Sequence, residues 1–478
     1  MLKTQETPQT QSDEPDHNHN HNQLHEHDHD QITDHQPIPF SKAEERAFIL
    51  EGCRVVLGAA CIHIVLGTFY MWGTISVYVA SYLRNYDDSV TVEKMKGVFP
   101  YMMIAINAFL SFGVKLANKI GFKLTSLIFM VWYAACIFLC SFIKSFILFV
   151  IVYAAVMGVA GGILYMVPVV CGWKYFPQRK GLVSGIIVGG YGLGTFIFNF
   201  IALAIVNPNN EKASIVYDGE KYFGPEVYNN VPKMFRILAL CFLILGIIGT
   251  ILIKTPSRKY IEHAEEAAVL TKKGVSKEVV TTHNECQSVR QGLKSRPFYL
   301  ILGMVLFGTF LGYLMANNYK VYGLENINDD SFLTLVGSIG SATNGCSRAV
   351  WALLYDKFGF KKVYFCLLIL QAVLAATLNF ISSVKALYLI WYALIMGCEG
   401  GQIAMFPAVT AKVFGAKVGP VIYGFIFVGY TLTNIGAYLL TTFGLDAVGW
   451  GGVFWICFSF TILSGVLNSI FNIRYEFK

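Results

Sequence analysis

Tyr153-Ala-Ala-Val-Met157-Gly158-Val-Ala-Gly161-Gly162-Ile-Leu-Tyr165-Met166-Val-Pro168 is matched 239 positions later by Tyr392-Ala-Leu-Ile-Met396-Gly397-Cys-Glu399-Gly400-Gly401-Gln-Ile-Ala-Met405-Phe-Pro407. The next apolar run keeps the same offset, with Gly185, Gly190 and Tyr191 returning as Gly424, Gly429 and Tyr430. Further out, Asn118-Lys-Ile-Gly-Phe-Lys123 returns as Asp356-Lys-Phe-Gly-Phe-Lys361, and Gly67-Thr68-Phe69 as Gly308-Thr309-Phe310. The matches fall in the same order in both copies. Collinear self-similarity of this kind marks a duplicated structural unit.

The medium of that unit follows from composition. The 478-residue chain is 55% hydrophobic and only 14% charged, with a mean hydropathy of +0.53. Soluble domains carry about 25% charged residues, so an ordinary cytosolic enzyme is excluded. So is a nucleic-acid binder, because the basic residues sit in short loops rather than a stripe. The eleven cysteines lie mostly within apolar runs and read as small hydrophobes, not as a disulfide framework. Runs of about 20 apolar residues are long enough to cross a bilayer as helices. Twelve are expected, near 53–81, 97–117, 124–143, 146–173, 181–205, 234–254, 298–318, 331–354, 363–382, 386–411, 419–443 and 449–471.

The ends differ from the body. Residues 1–45 read as a disordered acidic tail, with Lys3 set against eight acids up to residue 40 and almost no large apolar side chains. Its run of His17, His19, His21, His25, His27 and His29, continued by His35, is a weak candidate for metal binding, against the plainer reading of a solvated polar tail. The remaining boundaries are a first six-helix bundle over 46–254, a central loop over 255–297, a second bundle over 298–472 and a short end over 473–478. Lys119, Lys123, Lys174, Arg179, Lys180, the basic central loop, Lys357, Lys361, Lys362, Lys412 and Lys417 all fall on one side. The positive-inside rule then places both termini in the cytoplasm. No cleavable presequence is visible, so plasma and internal membranes both stay open.

Six helices per repeat is an even number, so the two copies share one orientation about an axis along the membrane normal. That is the plan of the major facilitator superfamily, in which substrate sits at midplane between the halves. Short motifs extend the resemblance. Asp356-Lys357-Phe-Gly359-Phe-Lys361 resembles the superfamily's loop 8–9 signature, and Asn118-Lys119-Ile-Gly121-Phe-Lys123 its loop 2–3 version, with Asn118 where an aspartate is usual. The resemblance implies that these loops gate the cytoplasmic side. Gly67-Thr-Phe-Tyr70-Met-Trp72-Gly73, Trp173-Lys-Tyr-Phe-Pro177-Gln-Arg179-Lys-Gly181-Leu-Val-Ser-Gly185 and Asn344-Gly345-Cys-Ser-Arg348 together look like the oxalate/formate antiporter branch, close to the monocarboxylate porters.

Ionisable residues within a membrane are costly and are functional candidates by default. Arg348 lies two turns inside the eighth span from Asp356, and its rigid fork suits a carboxylate. Asn344, four residues earlier, shares its helix face. The branch resemblance implies that Arg348 binds the substrate carboxylate; a structural ion pair is the alternative. The branch has a lysine in the eleventh span where this chain has Tyr430, which argues for a monocarboxylate over a dianion. Tyr430 would donate a hydrogen bond or serve as packing. Tyr70 and Trp72 are further substrate-contact candidates, following the branch's aromatic cage. Glu399 is a candidate for proton coupling or for neutralising Arg348, and His63 for proton relay or plain core packing.

The reading is an all-α, twelve-helix secondary transporter that moves a small organic anion by alternating access, coupled to a proton or a counter-anion. No cofactor and no catalysis are expected, since neither metal-ligand nor nucleophile–base spacing occurs within the spans. Its partners are the anion, the coupling ion and the lipid bilayer. A non-transporting nutrient sensor on the same fold, or a carrier of a neutral solute, are the rival functions.

Overall fold

The computed structural model describes residues 41–478, apart from 210, 212, 218, 219, 258, 259, 261–285, 328, 474, 476 and 478. The His-rich run and most of the central loop lie outside the described residues. Among the described residues there are twelve long helices: α1 (Lys42–Arg84), α2 (Val98–Ile120), α3 (Phe122–Cys140), α4 (Phe146–Tyr175), α5 (Lys180–Val206), α6 (Val231–Leu252), α7 (296–326), α8 (Asp330–Phe358), α9 (Phe360–Ile381), α10 (Lys385–Gly415), α11 (417–448) and α12 (450–470). Among the described residues, ten continuous helical stretches are long and apolar enough to cross a membrane. One of them, Lys417–Ile470, contains both α11 and α12, which part at Gly449 with φ of 63°. α8 falls short in apolarity because Ser338, Ser341, Thr343, Asn344, Ser347 and Arg348 lie along it. The twelve expected spans are thereby accounted for.

α1 starts at Lys42, inside the stretch expected to be tail. Ser41 explains the early start: its Oγ accepts from the Glu44 N–H at 3.2 Å, and Glu44 Oε2 accepts from the Ser41 N–H at 2.9 Å. Gly121 and Gly359, the repeated glycines of the two polar hexapeptides, have φ of 97° and 84°. A side chain would be strained in either conformation, so glycine is required where α2 turns into α3 and α8 into α9. The face of the molecule with these two turns is called the basic face below.

The Gly-Thr-Phe repeat has a structural meaning as well. α1 runs as a 3₁₀ turn over Gly67–Met71, and α7 is interrupted at Thr309. At each break a backbone carbonyl accepts hydrogen bonds from side chains of other helices. Thr195 Oγ1 donates to the Gly67 oxygen at 2.7 Å. Gln371 Nε2 and Gln402 Nε2 donate to the Gly308 oxygen at 2.7 and 3.0 Å, and Gln402 also donates to Gln371 Oε1 at 2.7 Å.

On the opposite face, the polar stretch after α5 folds into an antiparallel hairpin of β1 (Ile215–Tyr217) and β2 (Glu220–Tyr222). Arg84 at the end of α1 lies over the rings of Tyr217 and Tyr222, 4.6 and 5.0 Å from their centroids. The Phe223 N–H donates to Ser81 Oγ at 2.9 Å. At the other end of the chain, buried Phe477 packs on Phe414, ring centroids 5.6 Å apart.

Candidate functional site

The two halves meet along α5–α8 and α2–α11. Gly181, Gly185, Gly189 and Gly192 form a stripe on α5 that lets α8 approach backbone to backbone. A Cβ at Gly192 would stand 2.6 Å from the Gly345 Cα, and one at Gly185 would stand 2.6 Å from the Ala352 Cβ. At the basic end of this seam, Asp356 reaches across to the free N-terminus of α5, accepting from the N–H groups of Gly181 at 3.1 Å and Leu182 at 2.7 Å. Free N–H groups in a helix's first turn are suited to a carboxylate.

The α2–α11 seam is built differently. Asn118 and Lys119 are exposed, and no hydrogen bond of Asn118 to α11 is seen. The repeat partner of Gly181 is Pro420, which has no N–H. Ser111 Oγ donates to the Val421 oxygen at 2.9 Å instead, and Asn107 hydrogen-bonds Thr431. Lys357 is exposed beside the Phe358 ring. The two expected gating loops thus share a fold but not a clasp.

Between the seams lies a narrow central cavity. The first half contributes Tyr70, Tyr165 and Tyr191, and the second contributes Tyr313, Tyr430 and Arg348. One helical turn beyond Tyr70 on the same face, Thr74 is exposed; one turn beyond Tyr313, so is Asn317.

Arg348 is 3% exposed. Its Nε and Nη2 donate to Asn344 Oδ1 at 3.2 and 2.8 Å, and its Nη1 donates to the Val188 carbonyl at 2.6 Å. A guanidinium has five N–H groups, so one on Nη1 and one on Nη2 are unspent. The other end of the Asn344 amide donates to the Met396 oxygen at 3.0 Å and, at 3.4 Å, to Glu399 Oε2. Asn344 thus stands between the cation and the acid, and its amide orientation is set by both.

Arg348, Tyr430 and Tyr70 line one cavity, with Asn344 directly behind Arg348. Among the described residues the buried Tyr430 hydroxyl has no hydrogen-bond partner. Trp72 is turned away: its Nε1 donates to the Met95 oxygen at 3.0 Å and its ring packs on Phe149 and Tyr153, so it is a packing residue of the first half. A 3₁₀ turn advances each residue more than an α-turn does, which swings Trp72 off the face that Tyr70 occupies. Glu399 is not on the cavity wall but one layer behind it, against Gly312 of α7. His63 is also a layer back. Its Nδ1–H donates to the Ala59 oxygen at 3.1 Å, its Nε2 has no partner among the described residues, and its ring meets Tyr165 and Tyr191 edge-on. Among the described residues no cluster of histidine, cysteine or acid side chains could hold a metal. Tyr313, the Val188 carbonyl and the Gln371–Gln402 pair escape a reading of the sequence. Only Tyr313 had a signal, lying just beyond the repeated Gly-Thr-Phe.

The Major Facilitator Superfamily profile matches residues 59–327 and 323–475. The chain belongs to the major facilitator superfamily. Among its relatives is the "Apicoplast pyruvate carrier 1" of Toxoplasma gondii, 28% identical over 470 residues that span 84% of this chain and 85% of that one. The "Oxalate:formate antiporter" of Oxalobacter formigenes is 24% identical over 293 residues, 60% of this chain and 62% of that one. A solved structure of the proton:xylose symporter XylE superposes with a TM-score of 0.63 at 13% identity, covering 89% of this chain and 96% of that one. This superposition shows the shared fold. The protein is a multi-pass membrane transporter of the superfamily, and the direct repeat is its two six-helix bundles.

Proposed function

We propose that the chain carries a small monocarboxylate through the central cavity by alternating access, with the basic face in the cytoplasm. The observation that carries this reading is the pair of unspent N–H groups on Arg348. Charge-assisted donors on one planar group suit a carboxylate. The cavity wall has no second lysine or arginine among its described lining residues, so a dianion would remain half neutralised. Tyr430, with its free hydroxyl, supplies a neutral donor for a carbonyl or hydroxyl oxygen on the same solute. The names of the two relatives, a pyruvate carrier and an oxalate:formate antiporter, support a carboxylate cargo. Glu399 is the proposed proton carrier, since the Asn344 amide joins it to the cation that receives the substrate. His63 is the alternative carrier.

The test is uptake of radiolabelled formate, lactate, pyruvate and oxalate into proteoliposomes, with and without an imposed pH gradient. Monocarboxylate uptake should fall at least about tenfold in Arg348→Ala, given the usual strength of hydrogen bonds to charged groups. Glu399→Gln should lose the response to the gradient. If no acid moves and the Arg348→Ala protein equals wild type, the cargo is a neutral solute or the protein is a sensor.

A further inference from the structure

Glu399 and Gln402 lie one turn apart on α10, and both side chains meet α7, the first against Gly312 and the second on the Gly308 carbonyl. The fold does not require them. In the first half the repeat puts Ala160 and Ile163 at the same two positions, both buried in the core. The second half sets an acid and an amide where the same packing is met by a small and an apolar side chain.

The hydrogen bonds around this pair leave one acceptor over. Gln402 Nε2 donates to the Gly308 oxygen at 3.0 Å and to Gln371 Oε1 at 2.7 Å, so two acceptors fix the orientation of its amide. Gln371 is fixed as well, since its own Nε2 donates to the Gly308 oxygen at 2.7 Å and to Thr461 Oγ1 at 2.9 Å. Neither amide can turn over without setting an oxygen against the Gly308 carbonyl. Gln402 Oε1 is therefore directed away from this network, wholly buried, and has no donor among the described residues. A buried acceptor without a donor is costly.

Glu399, 4% exposed, has the opposite need. Its Oε2 accepts from the Asn344 amide at 3.4 Å, and no other donor reaches its carboxyl among the described residues. Arg348 donates to Asn344 and Val188 and forms no ion pair with Glu399. The titratable groups whose fields reach Glu399 are Tyr392 on its own helix, Tyr313 of α7, Tyr70 of α1 and Arg348 of α8, with no second acid among them. An ionised carboxylate is an acceptor only and would stand unmet beside the unmet oxygen of Gln402, whereas a carboxylic acid has one O–H to give.

We infer that the coupled proton sits on Glu399 and is held there by Gln402 Oε1, with Asn344 on the other oxygen of the acid. Gln402 is thus a positioning residue of the proton site. This rests on the reading above that Glu399 carries the proton. Loading gives Gln402 its missing donor, and unloading returns the proton to water and leaves the amide oxygen unpaired again.

The experiment is infrared difference spectroscopy between acid and alkaline buffer on the full chain in liposomes. A protonated carboxyl gives a C=O stretching band that shifts in heavy water, and one such band should vanish in Glu399→Gln. Gln402→Leu removes the acceptor, so the band should move to higher frequency, as for an acid whose O–H is free. Gln402→Met, of similar length and without the oxygen, should do the same. Thr461→Val takes a partner from the far end of the network and leaves Gln402 Oε1 in place. It should lower the unfolding midpoint in detergent without moving the band, which is how Gln402 itself would behave if its role were only structural. A Glu399 band that stays put in both Gln402 variants would overturn the role of Gln402 and leave Glu399 as the carrier. Absence of any Glu399-dependent band would overturn the inference outright. The carrier reading fails separately, if pyruvate uptake by Glu399→Gln keeps its response to the pH gradient.

Discussion

Replacing Asp356 by asparagine should loosen the basic face, whereas giving Asn118 the aspartate of its repeat partner should not tighten it. Asp356 accepts two N–H groups at 3.1 and 2.7 Å, one on each oxygen. The carboxylate is exposed to solvent, so each bond is taken at the low end of the range for charged acceptors, about 1.5 kcal/mol. An asparagine keeps one neutral bond of about 1 kcal/mol and offers its NH₂ group to an N–H donor. The difference is about 2 kcal/mol, a shift of about 30-fold toward the state with the basic face open. The converse substitution meets no donor. α11 starts at Lys417, so residues 420 and 421 lie past the free N–H groups of its first turn, and Pro420 has none to give. The assay is the distance distribution between spin labels at the exposed positions 119 and 357 in nanodiscs. Asp356→Asn should populate a longer distance, and Asn118→Asp should leave the distribution as in wild type. A marked shift in Asn118→Asp, or none in Asp356→Asn, would refute the asymmetry of the two seams.

Gly192→Ala places a methyl 2.6 Å from the Gly345 Cα, where neither backbone can yield, and overpacking of this kind costs about 1–3 kcal/mol. Transport should fall about tenfold or more, while Gly73→Ala, with nothing within 4 Å of its new Cβ, should transport as wild type in the same uptake assay. Gln402→Leu removes one of two donors to the Gly308 carbonyl and leaves Gln371 Oε1 without its partner; a loss of about 1 kcal/mol, the usual scale for a hydrogen bond within a membrane, should appear as a lower unfolding midpoint in detergent. At the hairpin face, its hydrogen bond from Lys385 and the Phe332 N–H hold the Asp329 carboxyl below the usual carboxylate range. A lowered pKa means stability that is present above the ordinary value and lost as pH falls through the depressed one. The unfolding midpoint of Asp329→Asn should therefore lie below that of wild type near pH 6, with the gap closing as the pH is taken below about 4.

The repeat made the architecture legible because each half has to solve the same problem. Six helices without water must bond their own backbones and pack on small residues, and Gly121, Gly359 and the glycines of α5 are where that demand admits one residue type. Arg348 was legible for an energetic reason, since a charge amid apolar helices must face a cavity or a partner, and Asn344 followed from helical spacing. Tyr430 followed from a comparison of residue types at one position. These conclusions needed no coordinates.

The tertiary structure decided which way the neutral groups face. A helix surrounded by lipid on one side and protein on the other is apolar all round, so hydrophobic periodicity does not mark its inner side as it would in water. That is why Trp72 could be taken for a cavity residue until the 3₁₀ turn of α1 was seen to rotate it onto Phe149 and Tyr153. It is also why Glu399 and Arg348, both buried, could be read as a direct pair although Asn344 lies between them. Backbone groups carry no sequence signal at all. The Val188 carbonyl that holds Arg348, and the Gly308 carbonyl that holds two glutamines, became acceptors only because of where other helices cross them. The sequence by itself thus determined the fold, the membrane and the cation, while the contacts that tie one half to the other depend on the packing of the two halves in space.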